Sequence, residues 1–569
     1  MDSNKIEIEI LYLSKKKKID IKSYIEKNSF HLKNEFLKYC KNLENIKLRH
    51  KSLYKLFEIQ NNHNLWEMSL IKEKSNLKSD NIYKVIIFLA IKKIMDDNKI
   101  KKIIFYNIPI NENIIGPFID NQNKKIIYEY QNTALKNKNI RSFLGNIFLV
   151  RVIYYFFILI NKLFLELRGN KFKDKDSNFL ILNYFAHFKS KKKGKITFNQ
   201  FGNLKKLLYK KYSVDSQYIF VPSKKNLAIN SITNDYSILN SNLNFYNKIL
   251  IIVKFIFYSF KFFFIKKFIF LKLSNFEKTF LSILSKDYDS SFSGSTFIEN
   301  LIWIEVFENY LSKTKKKKCG IFLLENQAWE KAMITSWKNY NHGKIIGYTP
   351  TSVNYWHLYN FDYSSKKYAS PSEVFVSSNE GYKLLKNQYQ KKNIKLRKVE
   401  SLWFNYLLSI KNEIKNKKDK NVLIIGDYNP KNNYKVFEII QKSKIKKIKN
   451  IYFKQHPHDL HKYDIRNITL TNKDNKYFFR AASIIISSGS TAAILEYLFF
   501  GKKVFIYDDP YGLDLSPVKH LNYQYKFKSV KDLNKLLKVN FNKKTIVNSF
   551  KNYYFLNREL KKWKNILSI

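Results

Sequence analysis

Cysteine is nearly missing from this chain: Cys40 and Cys319 are the two among 569 residues. So few thiols build no disulfide framework and no clustered thiolate metal site, which points to a reducing compartment. Glycine (14) and proline (9) are scarce as well, so turns are weakly punctuated and no repeat stands out. Acidic residues are outnumbered, 46 against 103 Lys+Arg, leaving a formal net charge of +57. The opening "MDSNKIEIEILYLSKKKK" lacks an apolar core ahead of its lysines and does not read as a secretory leader.

A clean membrane span is also wanting. "FLGNIFLVRVIYYFFILINKLFLELRG" (143–169) is interrupted by Arg151, Asn161 and Lys162. "KILIIVKFIFYSFKFFFIKKFIFLKL" (248–273) carries Lys254, Lys261, Lys266 and Lys267. A span needs about 20 nearly uncharged residues. Helices of this kind suit the headgroup region, their amines reaching lipid phosphates, or the core of a soluble domain.

What the chain has in quantity is apolar and aromatic surface: 45% hydrophobic and 17% aromatic residues, enough for real cores. At this length two domains are expected. The basic surplus does not announce nucleic-acid binding. Lysine dominates over arginine, the residue suited to base and phosphate forks, and the surplus is spread along the whole chain. An anionic membrane face or a phosphorylated substrate explains the sign as well.

Strand-like runs recur at "KKIIFYNI" (101–108), "NFLILNYF" (178–185), "CGIFLLEN" (319–326), "GKIIGYT" (343–349), "SEVFVSS" (372–378) and "IKLRKVES" (394–401). Helical patterns separate the later ones, which argues for parallel α/β layers. The polar "SIKNEIKNKKDK" (409–420) reads as a linker, after which the alternation restarts. The expected organisation is an N-terminal acceptor-side α/β domain (1–408) with apolar, membrane-associating insertions. The linker (409–420), a Rossmann-like donor-binding domain (421–549) and a last helix (550–569) packing back on the first domain would follow.

The stretch "SIIISSGSTAAILEYLFFGKKVFIYDD" (483–509) is a strand, a hydroxyl-rich turn, a helix closed by Gly501 and another strand. Ser487, Ser488, Ser490 and Thr491 bring hydroxyls to a helix start, and Gly489 permits close backbone approach; together they suit a phosphate. Glu496 follows about 7 Å along the helix axis, within reach of a ribose. The same residues would equally cap a buried helix. The turn is neither a Walker loop nor GxGxxG. "YFKQHPHDL" (452–460) ends the preceding strand, so His456 and Pro457 should reach the same sheet edge on a neighbouring strand end. A histidine there donates to phosphate oxygen, with Lys454 and His458 as secondary candidates.

An HP motif followed by an SS/T motif in a C-terminal Rossmann domain resembles GT-B glycosyltransferases and phosphotransferases with cytidine-nucleotide donors. Bacterial sialyltransferases, Kdo transferases and CDP-glycerol glycerophosphotransferases are among them. The resemblance covers about 421–537. "SGSTFIENLIWIEVFENYL", "LLENQAWEKAMITSW", "GKIIGYTPTSV" and "RKVESLWFNYLL" look like surface carbohydrate biosynthesis proteins, extending it from about Ser293. The resemblance implies an α/β, GT-B-like fold with two Rossmann-like domains facing a cleft. It implies that His456, Ser487, Ser488, Ser490 and Thr491 hold the donor phosphate. It further implies no cofactor and no metal; the triplets Asp174/Asp176 and Asp287/Asp289 sit in polar loops and need not be ligands.

A transferase also needs a base for the acceptor hydroxyl. Glu325, ending "GIFLLEN", is the foremost candidate, with Gln327 and Glu330 following; Glu330 also suits the first turn of its helix. His357 and Glu400 are reserves, and Asp427 after "VLIIG" would touch a substrate or cap a loop. The expected function is transfer of a sugar, such as a CMP-activated acidic sugar, onto a surface-glycan acceptor of lipopolysaccharide, O-antigen or capsule type. The expected partners are a nucleotide-activated sugar, a glycan or lipid-linked acceptor and an anionic membrane surface, with no nucleic acid. The expected place is the inner face of a bacterial cytoplasmic membrane. A nucleotide-sugar 2-epimerase and a non-catalytic membrane-associated scaffold stand as alternatives.

Overall fold

A computed structural model describes residues 6–11, 16–96, 100–120, 127–131, 147–165, 167, 176–185, 189–190, 196–197, 201–221, 226–227, 230, 237–350, 352–361, 369–410, 421–457, 459–521 and 523–568. His458, Asp174 and linker residues 411–420 lie outside the described residues. The chain is α/β and forms two compact units. One comprises residues 1–186, 213–346 and 358–372, and the other 187–212, 347–357 and 373–569.

The first unit opens with a small sheet made of β1 (Glu7–Leu11), β2 (Lys16–Asp20), β3 (Lys102–Tyr106) and β4 (Ile127–Gln131), in the order β2-β1-β3-β4. Helix α1 (Phe148–Leu163) follows. The main sheet is built from β5 (Phe179–Phe185), β6 (Val214–Phe220) and β7 (Ser237–Ile238). Next in the chain come helices α2 (Phe245–Lys272), α3 (Ser285–Ser293) and α4 (Ser295–Ser312). Strand β8 (Cys319–Leu323), helix α5 (Ala328–Asn339) and strand β9 (Lys344–Thr349), where the unit boundary falls, come after them. These strands lie in the order β7-β6-β5-β8-β9, with parallel pairing from β7 to β8. Strand β5 is buried along almost its whole length, as a strand covered on both faces should be.

The second unit holds the parallel pair β10 (Glu373–Val376) and β11 (Lys395–Lys398). Its principal sheet starts with β12 (Asn421–Ile425), α6 (Pro430–Lys442), β13 (Ile451–Lys454) and β14 (Thr469–Leu470). It continues with α7 (Asn475–Ala481), β15 (Ala482–Ser487), α8 (Ile494–Phe499), β16 (Lys503–Tyr507) and β17 (Lys526–Phe527). The order is β14-β13-β12-β15-β16-β17, every pairing parallel. Counted along this sheet, that is third-second-first-fourth-fifth-sixth, the Rossmann arrangement. The core is the β-branched run of β12 and β15 sandwiched by Phe437, Phe478, Tyr497 and Leu498.

The segment 550–569 is not one helix. Helix ends at Phe550, Leu560 takes φ +54°, and only α9 (Lys561–Leu567) is helical beyond it. Trp563 of α9 packs edge-on to Tyr348 and Phe375, and its indole N–H donates to the Glu400 carbonyl at 2.8 Å. Among the described residues no helix is long and apolar enough to cross a membrane.

Candidate functional site

In open parallel sheets ligands bind beyond the carboxyl ends of strands, at the point where strand order reverses. In the second unit that point lies between β12 and β15. The register puts Lys454, Ile425 and Ser487 level across β13, β12 and β15. The residues that follow each, His456, Asp427 and Ser488–Thr491, therefore emerge at one edge. They are not on neighbouring strand ends: β12 lies between β13 and β15, separating the HP and serine motifs by two inter-strand spacings, about 10 Å. The strand that comes first in a doubly wound unit takes the centre, and sequence order alone hides this.

Asp427 fills that middle position and is buried. Its Oδ2 accepts from the Ser490 backbone N–H and hydroxyl, both at 3.1 Å, and its Oδ1 accepts from Asn429 N–H at 3.1 Å. Gly489 sits at φ +139°, and a Cβ there would come within 2.9 Å of Asp427 Oδ2. Glycine is thus what lets the carboxylate reach the turn. Burial pushes the Asp427 pKa up, against the hydrogen bonds from Asn429 and Ser490. An anion already occupies part of the serine turn, and a phosphate reaching Ser490 has to displace Asp427 or meet it protonated.

The other hydroxyls differ. Ser487 Oγ accepts from Gly489 N–H at 3.3 Å, and Thr491 Oγ1 from Ala493 N–H at 3.3 Å. Ser488 is fully buried, its N–H donates to Ile425 O at 3.0 Å, and its Oγ has no hydrogen-bond partner. A buried hydroxyl left without a partner costs about 1–3 kcal/mol unless something absent from the protein satisfies it. Helix α8 is shorter than the apolar run suggests, beginning only at Ile494, because Ala492 and Ala493 are spent on the turn.

His456 is partly buried, edge-on to Tyr428 with ring centroids 6.4 Å apart, while Pro457 is exposed. Glu496 is buried, and its Oε2 accepts from the Tyr406 hydroxyl at 2.5 Å and Asn475 Nδ2 at 2.8 Å. Lys454 Nζ donates to Asn475 Oδ1 at 2.5 Å, so Lys454, Asn475, Glu496 and Tyr406 form a chain. Burial raises the Glu496 pKa, opposed by Tyr406 and Asn475.

In the first unit the order reverses between β5 and β8, and Glu325 follows β8 there. Its Oε2 accepts from Gln327 Nε2 at 2.6 Å and from the Tyr184 hydroxyl at 3.2 Å. Glu325 keeps part of its surface in solvent, yet the protein packed round its carboxylate raises its pKa, opposed by Gln327 and Tyr184. Glu330, buried on α5, accepts from the backbone N–H groups of Glu325 (2.8 Å) and Asn326 (3.0 Å), and burial pushes its pKa up to about 8. It fastens the loop that presents Glu325.

The reserve candidates stand apart. Glu400 is buried and caps α9, accepting from Lys562 N–H (2.9 Å) and Trp563 N–H (3.2 Å). His357 lies 3.4 Å from Asn354 Nδ2, and burial lowers its pKa to about 4, so it is neutral at pH 7. Asp287 and Asp289 are on helix α3, not in a loop, because Tyr288 and Phe292 give that segment a buried face. Asp287 accepts from Ser79 Oγ (2.6 Å), and Asp289 pairs with Arg151 (2.9 Å) and Lys266 (2.7 Å). Among the described residues no group of three or more His, Cys, Asp and Glu is placed to hold a metal ion. Sequence reasoning missed Tyr184, Tyr406 and Asn475. Only Tyr184 carried a signal, as the polar-tipped residue near the end of an apolar strand.

The sequence matches no known protein-family profile and no curated protein. Solved structures with partial likeness include MurG of Acinetobacter baumannii, at 9% identity and TM-score 0.37, covering 69% of this chain and 99% of that one. S. aureus MnaA with UDP has 10% identity and TM-score 0.37 over 68% of this chain and 96% of that one. The wall teichoic acid polymerase TagF, soaked with CDPG, has 8% identity and TM-score 0.31 over 68% and 83%. Likenesses this low carry no activity across, and the strand orders stand by themselves.

Proposed function

We propose that the chain is a metal-independent GT-B glycosyltransferase moving a sugar from a nucleotide donor to a surface-glycan acceptor. The observation that carries this reading is the Ser488 hydroxyl, buried and without a partner where the strand order of a Rossmann sheet reverses. A donor phosphate there would accept from Ser488 Oγ and from His456, while Glu496 would hold the ribose. Hydrogen bonds to an ionised group contribute about 1.5–3 kcal/mol each, enough to bind and orient the leaving phosphate.

Glu325 would take the proton of the acceptor hydroxyl. Its raised pKa makes its carboxylate a stronger base than an exposed one, and Tyr184 and Gln327 fix its orientation. The acceptor in this reading is a glycan precursor carried on lipid at the inner face of the cytoplasmic membrane.

A thermal-shift series with CMP, CDP, UDP and GDP tests the donor site, repeated on His456→Ala and Ser488→Ala. Ligand at about 100 times Kd adds roughly 2.7 kcal/mol to stability and raises the midpoint. One nucleotide should raise it, and each variant should weaken that nucleotide about tenfold. No shift with any nucleotide overturns the donor-site reading. An epimer formed from UDP-sugar alone replaces transfer by epimerisation.

A further inference from the structure

Two helices of the first unit expose an apolar face that the donor chemistry does not use. Helices α1 and α2 pack on each other, with Phe148 stacked on Phe263 at 4.1 Å and Lys248 over the Phe164 ring at 5.0 Å. The start of α1 thus meets the later part of α2 and its end meets the start, an antiparallel pair. Both lie on α3 and α4. Arg151 and Lys266 reach Asp289 of α3, and Lys254 and Lys162 reach Glu305 and Glu299 of α4.

Their outer faces differ from the rest of the described surface. Of the 29 large hydrophobic side chains exposed among the described residues, 18 lie on these two helices or within two residues of their ends. On α2 the exposed residues recur every three or four positions, through Val253, Phe257, Phe260, Phe264, Phe268 and Leu271. The opposite stripe, Ile251, Phe255, Phe262 and Ile269, is buried. One helix therefore has two apolar faces, where a soluble surface helix has one. At 1.5 Å per residue its 28 residues extend about 42 Å.

Charge decides what this face meets. Helices α1 and α2 contain eight Lys and Arg and no Asp or Glu. Four of the cations pair with the acids beneath. The other four, Lys248, Lys261, Lys267 and Lys272, are on α2. Lys261 and Lys267 lie over the Tyr258 and Phe263 rings, their stems beside the apolar stripe. A second copy of this face would bring lysines against lysines. A sheet of lipid phosphates above an apolar interior matches both features.

We propose that the outer faces of α1 and α2 form one docking surface for an anionic lipid bilayer, lying flat in the headgroup region. The aromatic and aliphatic stripe enters the acyl boundary, and the lysines reach back to phosphate. This inference stands without the glycosyltransferase reading, since it uses no residue of the donor site.

Sedimentation of the full chain with vesicles tests it, using phosphatidylcholine alone and phosphatidylcholine with phosphatidylglycerol. The chain should pellet with the anionic vesicles. Phe257→Glu/Phe264→Glu should lower partitioning more than tenfold, and Lys267→Gln roughly fivefold, the effect of one lysine near an anionic surface. Because both phenylalanines are exposed, far-ultraviolet circular dichroism and the thermal midpoint of the variants should match the parent. A chain that stays in the supernatant with anionic vesicles overturns the proposal. So does a dimer in light scattering that the double variant splits while vesicle binding is unchanged; the face would then be a contact between copies. Nucleotide-induced thermal shifts, read on the same variants, report on the donor site separately.

Discussion

The two main sheets solve one problem in two ways. Each runs third-second-first-fourth from its edge, and each sets a carboxylate beside the reversal, Asp427 buried and Glu325 partly exposed. In the second unit Asp427 is held chiefly by the turn after β15, through the N–H and O–H of Ser490. In the first, Glu325 is held by side chains, Gln327 and Tyr184, while its own loop is tied down by Glu330. The first arrangement ties a charge into the backbone of the site; the second leaves a carboxylate whose partners can turn away. In the proposed reading the carboxylate woven into the turn shapes the donor site, and the one held by rotatable side chains exchanges the acceptor proton.

Glu325→Gln should show the largest effect, because an amide cannot accept a proton in the transfer step. Release of nucleotide from the activated sugar, with a glycan-lipid extract as acceptor, should fall on the order of 10²–10⁴-fold. The thermal shift given by nucleotide should be unchanged. In the parent chain the raised pKa moves the acidic limb of the rate above 4.5, the ordinary value for this carboxyl. Activity should therefore rise with pH to a higher point than an exposed glutamate would set. A variant that loses nucleotide binding along with turnover would erase the distinction between the two carboxylates.

Asp427→Asn addresses the other side. The carboxylate and a donor phosphate compete for Ser490, so wild-type affinity for an activated sugar should fall as pH rises through the raised Asp427 pKa. Such donors are phosphodiesters with no phosphate titration of their own in that range. The variant should bind about five- to tenfold more tightly at the alkaline end, the equivalent of about 1 kcal/mol of like-charge repulsion, with a flat pH profile. Titration calorimetry between pH 5 and 8 reads this. Equal affinities at every pH would mean that phosphate never reaches Ser490.

Much of this was legible in the residues. Short unbroken apolar runs rich in β-branched residues, such as "NVLII" and "KVFIY", have the pattern of strands covered on both faces, and the alternation restarting after the linker announced the second sheet. Glu325 and the serine turn were found because a strand followed by a polar turn marks a carboxyl edge. Strand order was not legible: the central place of β12, which puts Asp427 between the two motifs, comes from crossovers that leave no local trace. The partners Tyr406 and Asn475 were hidden for a similar reason, lying 90 and 21 residues from Glu496 in sequence. For α2 the residues left a headgroup helix and a core helix both open, because hydropathy cannot tell a helix buried on two sides from one with a single side covered.

The smallest change tests how far the second unit depends on such long-range partners. Tyr406→Phe keeps the ring and removes the hydroxyl that donates to Glu496, leaving Asn475 as the remaining donor to the same oxygen. A buried carboxylate deprived of one hydrogen bond costs about 1–3 kcal/mol, which lowers the thermal midpoint by a few degrees. The pH dependence has a definite sign. Burial already raises the folded-state pKa of Glu496, and Tyr406 opposes the rise. Without the hydroxyl it climbs further. A carboxyl raised on folding contributes stability that is complete below its unfolded pKa and is lost as pH rises through its folded value. The variant should therefore lie close to the parent near pH 5 and fall furthest behind it near pH 8. A midpoint difference that stays constant across that range would show that Tyr406 acts through packing, not through the Glu496 proton.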